Sequence, residues 1–308
     1  MISRRSFHRL ALTALPAATA LAAINSKFRG VQIGAMTYSF GDMPVARIIP
    51  SLVAIGLGEV ELMWTHCEAL AGAPPVSGAG QQAAQQQAAL RKWRLAATAE
   101  TFKPVRRKFT DAGLDLQILC FNQGMETPSD EIEYAFLMAK ALGVRAISCS
   151  STVAFAKRVA PFAEKHKLMW GAHGHANVFD PEEFAKPETF AKIMSFSKYI
   201  GVNLDIGHFT AAGYDPIPFL KQNHARITNL HLKDRKKPVQ PIKNVNDTNT
   251  PNLPWGQGDT PIKEVLQLMV KEKYSFPANI ELEYPIPPGS DRFTEIRKCF
   301  DYCKAALA

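Results

Sequence analysis

The sequence predicts an α/β protein folded as a closed (β/α)8 TIM barrel, on three observations. Short apolar, β-branched segments recur eight times, amphipathic stretches separate them, and no G-x-G-x-x-G turn follows any of them. Eight strands alternating with helices over about 280 residues suit a closed barrel better than an open doubly wound sheet. A single barrel domain over residues 28–308 is therefore expected.

In chain order, residues 1–23 read as a leader. Arg4, Arg5, His8 and Arg9 make a basic start, Leu10 to Leu21 an apolar run, and Ala20-Leu21-Ala22 a small-residue cleavage site. Ser3-Arg4-Arg5-Ser6-Phe7 resembles the twin-arginine export motif. That resemblance implies the twin-arginine export machinery as a partner and a periplasmic or secreted location. The apolar run is shorter than the ~18 residues a membrane span needs, so cleavage is expected, with no stable span left afterwards.

The eight strands are expected at Val31–Tyr38, Glu59–Met63, Asp115–Phe121, Arg145–Ser150, Leu168–His173, Val202–Ile206, Ile227–Leu232 and Asn279–Tyr284. Helical patterns lie between them. Asp130–Leu142 starts after Pro128-Ser129 and closes at Gly143, and Pro181–Tyr199 and Ile262–Lys271 read the same way. Two stretches break the rhythm. Ala69–Ala89, with Pro74-Pro75 and the Gln81–Gln87 run, reads as a low-complexity loop. Arg235–Pro261 reads as a lid or substrate loop over the mouth, bringing Asn246, Asp247, Trp255 and Gln257 as sugar contacts.

Composition narrows the function. The chain has 36 basic and 28 acidic residues, and without the three leader arginines the balance is 33 to 28. The densest basic run, Lys233 to Lys237, contains an acid and lacks interleaved aromatics, so no nucleic-acid partner is expected. The five cysteines stand at no zinc-finger spacing and suggest neither a disulfide framework nor a thiolate metal site.

The chemistry gathers where strands end. In a parallel barrel these ends converge on one mouth. Strand five ends Ala172-His173-Gly174-His175, strand six Asp205-Ile206-Gly207-His208, strand seven His231-Leu232-Lys233-Asp234 and strand eight Glu281-Leu282-Glu283-Tyr284. Alternate residues share a face, which pairs His173 with His175, His231 with Lys233, and Glu281 with Glu283. Mixed imidazoles and carboxylates fit one divalent ion: Mn²⁺, Zn²⁺, Co²⁺, Fe²⁺ or Mg²⁺. Glu61 and His66 at strand two, together with His175, His208 and Trp255, are candidate substrate contacts, and Trp64, Phe121, Tyr38 and Trp170 are candidate stacking platforms for a sugar ring.

These segments resemble the xylose isomerase-like superfamily of sugar phosphate isomerases and epimerases, over residues 30–306 and most strongly from His173 onward. The resemblance implies Asp205, His231 and Glu283 as metal ligands, with Glu281 as the alternative to Glu283. Strand five departs from the pattern, because His173 stands where the family carries a Glu. His173 is thus either the fourth ligand or a second base.

The implied activity is metal-dependent isomerisation or epimerisation of a sugar or keto-sugar through an enediolate, with Glu283 or His173 as base and Lys233 stabilising the oxyanion. Two alternatives stay open: a lyase of 3-keto-glycosides on the same site, and a non-catalytic sugar-binding barrel. A phosphate on the substrate is not carried over, since an exported protein seldom meets a phosphorylated sugar.

Overall fold

A computed structural model describes residues 22–240, 242 and 250–308. Residues 1–21 of the leader, and Asn246 and Asp247, lie outside the described residues. Eight parallel strands close on themselves: β1 Val31–Met36, β2 Glu59–Met63, β3 Asp115–Cys120, β4 Ala146–Cys149, β5 Met169–His173, β6 Ile200–Asp205, β7 Ile227–Leu232 and β8 Ala278–Ile280. Each strand pairs with its sequence neighbour, and β8 pairs with β1 to shut the barrel. The expected fold class is the observed one.

Strand alternation sorts the side chains. On β7, Leu230 and Leu232 are fully buried toward the surrounding helices, while Asn229 and His231 reach polar partners across the barrel. On β2, Val60 and Leu62 join the apolar core, whereas Glu59 and Glu61 meet Asn279 and Asn229 inside. The interior is thus a polar column of Glu59, Asn279, Asn229, Glu61, Ser148 and Asn203 rather than the usual layers of Val, Ile and Leu. Gly34 leaves room for it. A Cβ there would overlap the Glu59 carboxylate and lie 2.8 Å from the Glu59 carbonyl oxygen. Gly34→Ala is expected to cost at least about 1–3 kcal/mol by overpacking, read as a lower urea midpoint.

Three expectations are corrected. Residues Ala69–Ala89 do not form one loop, because the Gln run belongs to a helix, Gly80–Ala96. Ala and Gln are good helix formers, and tertiary contacts fix this one through buried Leu90 and through Arg91 and Arg94 bound to Glu131. The pattern over Pro181–Tyr199 shrinks to Pro187–Met194, since Pro187 restarts the helix at its first turn. The eighth strand ends at Ile280, and Glu281 keeps one rung by donating its N–H to Leu232 O at 3.0 Å.

The described ends of the insertion after β7 are anchored. Asp234–Arg235 pairs antiparallel with Asn252–Leu253, and the Asp234 carboxylate accepts from the backbone N–H groups of Gly256, Gly258 and Thr260.

Candidate metal centre

Four strands deliver four ligand groups to one point. His173 closes β5, Asp205 closes β6, His231 sits near the end of β7 and Glu281 follows β8. One ligand atom from each lies within 4.8 Å of the others, and all four residues are buried. His173 Nε2 is 3.3 Å from Asp205 Oδ2 and 3.8 Å from Glu281 Oε2, and His231 Nδ1 is 2.7 Å from the same Glu281 oxygen.

The second nitrogen of each imidazole is already committed. His173 Nδ1 lies 3.0 Å from Ser150 Oγ, and His231 Nε2 lies 2.6 Å from Glu61 Oε2. Such partners behind the ring are how proteins orient metal-binding histidines. Asp205 spends its other oxygen on the N–H of His208, at 2.7 Å. Ser150→Ala is therefore expected to weaken metal binding by about tenfold without removing a ligand, read by competition against a chromophoric chelator.

Charge in the cluster follows from its neighbours. Burial, then the nearby His231, holds His173 below the usual imidazole range, which keeps it neutral and able to ligate. Burial opposes a charge on His231, but Glu281 and Glu61 outweigh it and raise its pKa well above the ordinary value. Burial would also push Asp205 and Glu281 up. The Lys233 charge instead holds Asp205 well down, and His231 and Lys233 do the same for Glu281. Once an entering ion displaces the extra proton of His231, two imidazoles and two ionised carboxylates in a buried pocket suit a single divalent ion of the Mn²⁺ to Zn²⁺ series.

Around this set the structure rearranges several expected roles. Glu283 stands outside the four converging ligands, with its side chain 26% exposed, and Glu281 takes the place expected for it. Lys233 does not point a free donor at the mouth. Its buried ammonium donates to Glu283 Oε2 at 2.6 Å and is ion-paired with Asp205 Oδ2 and Glu281 Oε2, each 2.9 Å away.

His208 is neutral, its pKa driven well down by burial and by the nearby Lys233 charge. Arg235, held by the Thr250 carbonyl, donates to His208 Nδ1, which leaves the proton on Nε2. That Nε2 lies 3.9 Å from Asp205 Oδ2 and 3.8 Å from Glu283 Oε2.

Glu61 is not a rim residue. Fully buried, it is engaged by Ser148, Asn229 and His231, so both of its oxygens are occupied inside the barrel. His66 is half-buried beside Thr37 Oγ1, 3.0 Å away, with burial lowering its pKa. His175 is the more exposed imidazole. Its Nδ1 lies 3.1 Å from Glu183 Oε1, its ring is 4.9 Å from that of His173, and Glu183 overcomes the effect of burial to raise its pKa.

Trp255, expected as a substrate contact, packs edge-on against Tyr302 of the last helix and lines a 270 Å³ cleft with Tyr284 and Glu295. Trp170 is fully buried against Phe155 and Phe184, and Phe121 stacks under Trp64 at 5.5 Å, which leaves Trp64 and the half-exposed Tyr38 as accessible aromatics.

Ser150, Glu183 and Arg235 were not singled out by sequence reasoning. Arg235 directly follows the His231-Leu232-Lys233-Asp234 segment, and Ser150 closes the expected fourth strand, so position at a strand end was the available signal.

The sequence model described as xylose isomerase-like TIM barrel matches residues 54–304. A search of the curated proteins finds no match. Among solved structures, the IolI protein with a bound zinc atom is similar at 14% identity, with 90% of this chain and 98% of that one covered and a TM-score of 0.61. The probable 3-DHS dehydratase AsbF from Bacillus anthracis, involved in petrobactin synthesis, is similar at 12% identity, 90% and 97% coverage and a TM-score of 0.59. A sugar phosphate isomerase/epimerase from Parabacteroides distasonis ATCC 8503 is similar at 17% identity, 92% and 96% coverage and a TM-score of 0.53. At these identities the likeness is one of fold.

Proposed function

The chain belongs to the xylose isomerase-like TIM barrel family, and on that premise we propose that it is a metal-dependent isomerase or epimerase of a sugar or keto-sugar. One observation carries the reading: His173, Asp205, His231 and Glu281 converge at the mouth while Glu283 stands beside them, partly open to solvent. A divalent ion held by those four residues would polarise a substrate carbonyl and its neighbouring hydroxyl and so acidify the C–H between or beside them.

The chain's own groups do the proton work. Glu283 is the most exposed carboxylate beside the cluster and removes the proton from carbon. His208, with its proton fixed on Nε2 by Arg235, donates a hydrogen bond to a substrate oxygen without changing charge. His175, tilted toward imidazolium by Glu183, returns a proton. Glu61 and Ser150 hold the rings of His231 and His173 in line.

A second reading, elimination from a 3-keto-glycoside, is favoured by His173 itself. With an imidazole in place of a second catalytic carboxylate, one base and one acid remain, which is what expulsion of a glycosidic oxygen requires. In that case His175 protonates the leaving oxygen. The leader motif fits either reaction to a periplasmic or secreted setting.

The test is to incubate the metal-loaded protein with keto-sugars and 3-keto-glycosides in D₂O. Deuterium at the carbon beside the carbonyl supports proton abstraction, and release of an aglycone selects the lyase. Binding without exchange or cleavage would leave the sugar-binding barrel. Absence of divalent metal from the purified protein, even after reconstitution, would overturn the proposal.

A further inference from the structure

The cation that the ligand carboxylates hold in this structure is Lys233. Its Nζ contacts Asp205 Oδ2 and Glu281 Oε2, the same two oxygens that converge on His173 Nε2. The position is built rather than incidental. Gly207 follows Asp205 by two residues, and a Cβ there would collide with the Lys233 stem and lie 2.7 Å from its carbonyl oxygen. The third contact, to Glu283 at 2.6 Å, leads toward the partly exposed edge of the cluster. Buried charges are tolerated only when paired, and Asp205, Glu281 and Glu283 meet at one ammonium.

We infer that Lys233 is the resident counter-cation of the ligand carboxylates, that a divalent ion binds by displacing its ammonium toward Glu283, and that Lys233 thereby sets how strong a cation the centre accepts. The inference rests on the metal reading above. A divalent ion at bonding distance from Asp205 Oδ2 and Glu281 Oε2 would share both oxygens with the ammonium, and two cations on shared oxygens repel. The four-carbon stem of a lysine can swing, and Glu283 keeps the moved ammonium paired.

Two consequences follow. Weakly coordinating Mg²⁺ competes poorly, whereas Co²⁺ or Zn²⁺ with two imidazoles competes well. Displacement also draws the Lys233 ammonium away from Asp205 and Glu281 and leaves it beside Glu283 to donate to a substrate oxygen. The oxyanion role expected from sequence then belongs to the loaded centre only.

The test is the affinity for Co²⁺, followed by its visible absorption and by chelator competition, in the parent, Lys233→Met and Lys233→Gln. Affinity in both variants is expected to rise about tenfold or more, with detectable Mg²⁺ binding appearing. A lysine that merely oriented ligands would give the opposite sign, since losing such a partner typically weakens binding about 10–100-fold. Unchanged or weaker Co²⁺ binding in variants of a metal-binding parent overturns this inference alone. Failure of parent and variants alike to bind Co²⁺ sinks the metal reading with it. Should Lys233→Met not fold, Lys233→Gln, which keeps hydrogen-bond donors, decides the matter.

Discussion

Glutamine at position 281 is expected to strip the bound divalent ion, whereas the same change at position 283 leaves most of the ion in place and lowers kcat by about 10²–10⁴-fold. The two residues are chemically identical and lie two positions apart beyond the end of β8, so what separates them is how deep each sits at the mouth. Glu281 is buried, its Oε2 lying 2.7 Å from His231 Nδ1 and 3.8 Å from His173 Nε2, inside the ligand set. Removing its charge leaves His231 with only Glu61 and leaves Lys233 with one ligand carboxylate fewer. Breaking one partner out of such a buried charge cluster typically costs about 3–5 kcal/mol, enough to remove a ligand's contribution and soften the apo site together.

Glu283 contacts Lys233 and lies 3.8 Å from His208 Nε2, and a glutamine oxygen there still accepts from the lysine. Its loss removes the base without removing a ligand. Metal content by plasma mass spectrometry, run beside deuterium wash-in, separates the two effects. If Glu283→Gln lost the metal and Glu281→Gln kept it, the ligand would be the one the family resemblance implies, and the assignment of both residues would reverse.

That exchange of roles shows what the sequence could and could not carry. Eight buried strands were legible because their apolar, β-branched runs follow from being covered on both sides. Asp205, His231 and His173 were legible because a polar group at a strand end has nowhere to go but the mouth. The choice between Glu281 and Glu283 was not, since alternation gives both the same face. Register decides it: Asn279 opposes His231 and Ile280 opposes Leu232, so Glu281 comes level with Lys233 and Glu283 stands one step nearer the rim.

Depth also relocates Glu61, which shares its face with Glu59 and ends under His231 instead of at the mouth. The Gly80–Ala96 helix hid for another reason. Its run of Gln and Ala has no apolar stripe, and what orders it is a set of ion pairs from Arg91 and Arg94 to residues 68, 130 and 131. Trp255 was placed by its side chain and by a loop that follows the seventh strand, and the turn clamped by Asp234 carries it toward the last helix.

A pH-dependent loss of stability is expected from Glu59, at the base of the polar column. Burial, reinforced by the neighbouring Glu61 charge, raises its pKa well above the ordinary carboxylate value, against a smaller opposing effect of the Asn279 hydrogen bond. Its Oε2 accepts from Asn279 Nδ2, while its Oε1 is buried without a partner among the described residues. The folded chain therefore holds a proton that the unfolded chain releases near pH 4 to 5. Because the native state binds more protons over that window, stability is fully present below the unfolded pKa and declines as pH rises toward the folded one, by up to about 1.4 kcal/mol per unit.

Asp205 and Glu281 have the opposite sign, with folded pKa values well below the usual range, so their contribution is lost only as pH falls below it. His231, raised well above its ordinary value, contributes a decline of the same sign as Glu59 at higher pH, which makes a difference measurement necessary. Glu59→Gln supplies it. Glutamine keeps the shape and an acceptor for Asn279 and carries no charge at any pH. Urea unfolding of parent and variant across pH 5 to 8 should diverge, the variant gaining on the parent as pH rises. Parallel curves would mean that Glu59 is ionised in the folded barrel and that the column compensates its charge by some other route.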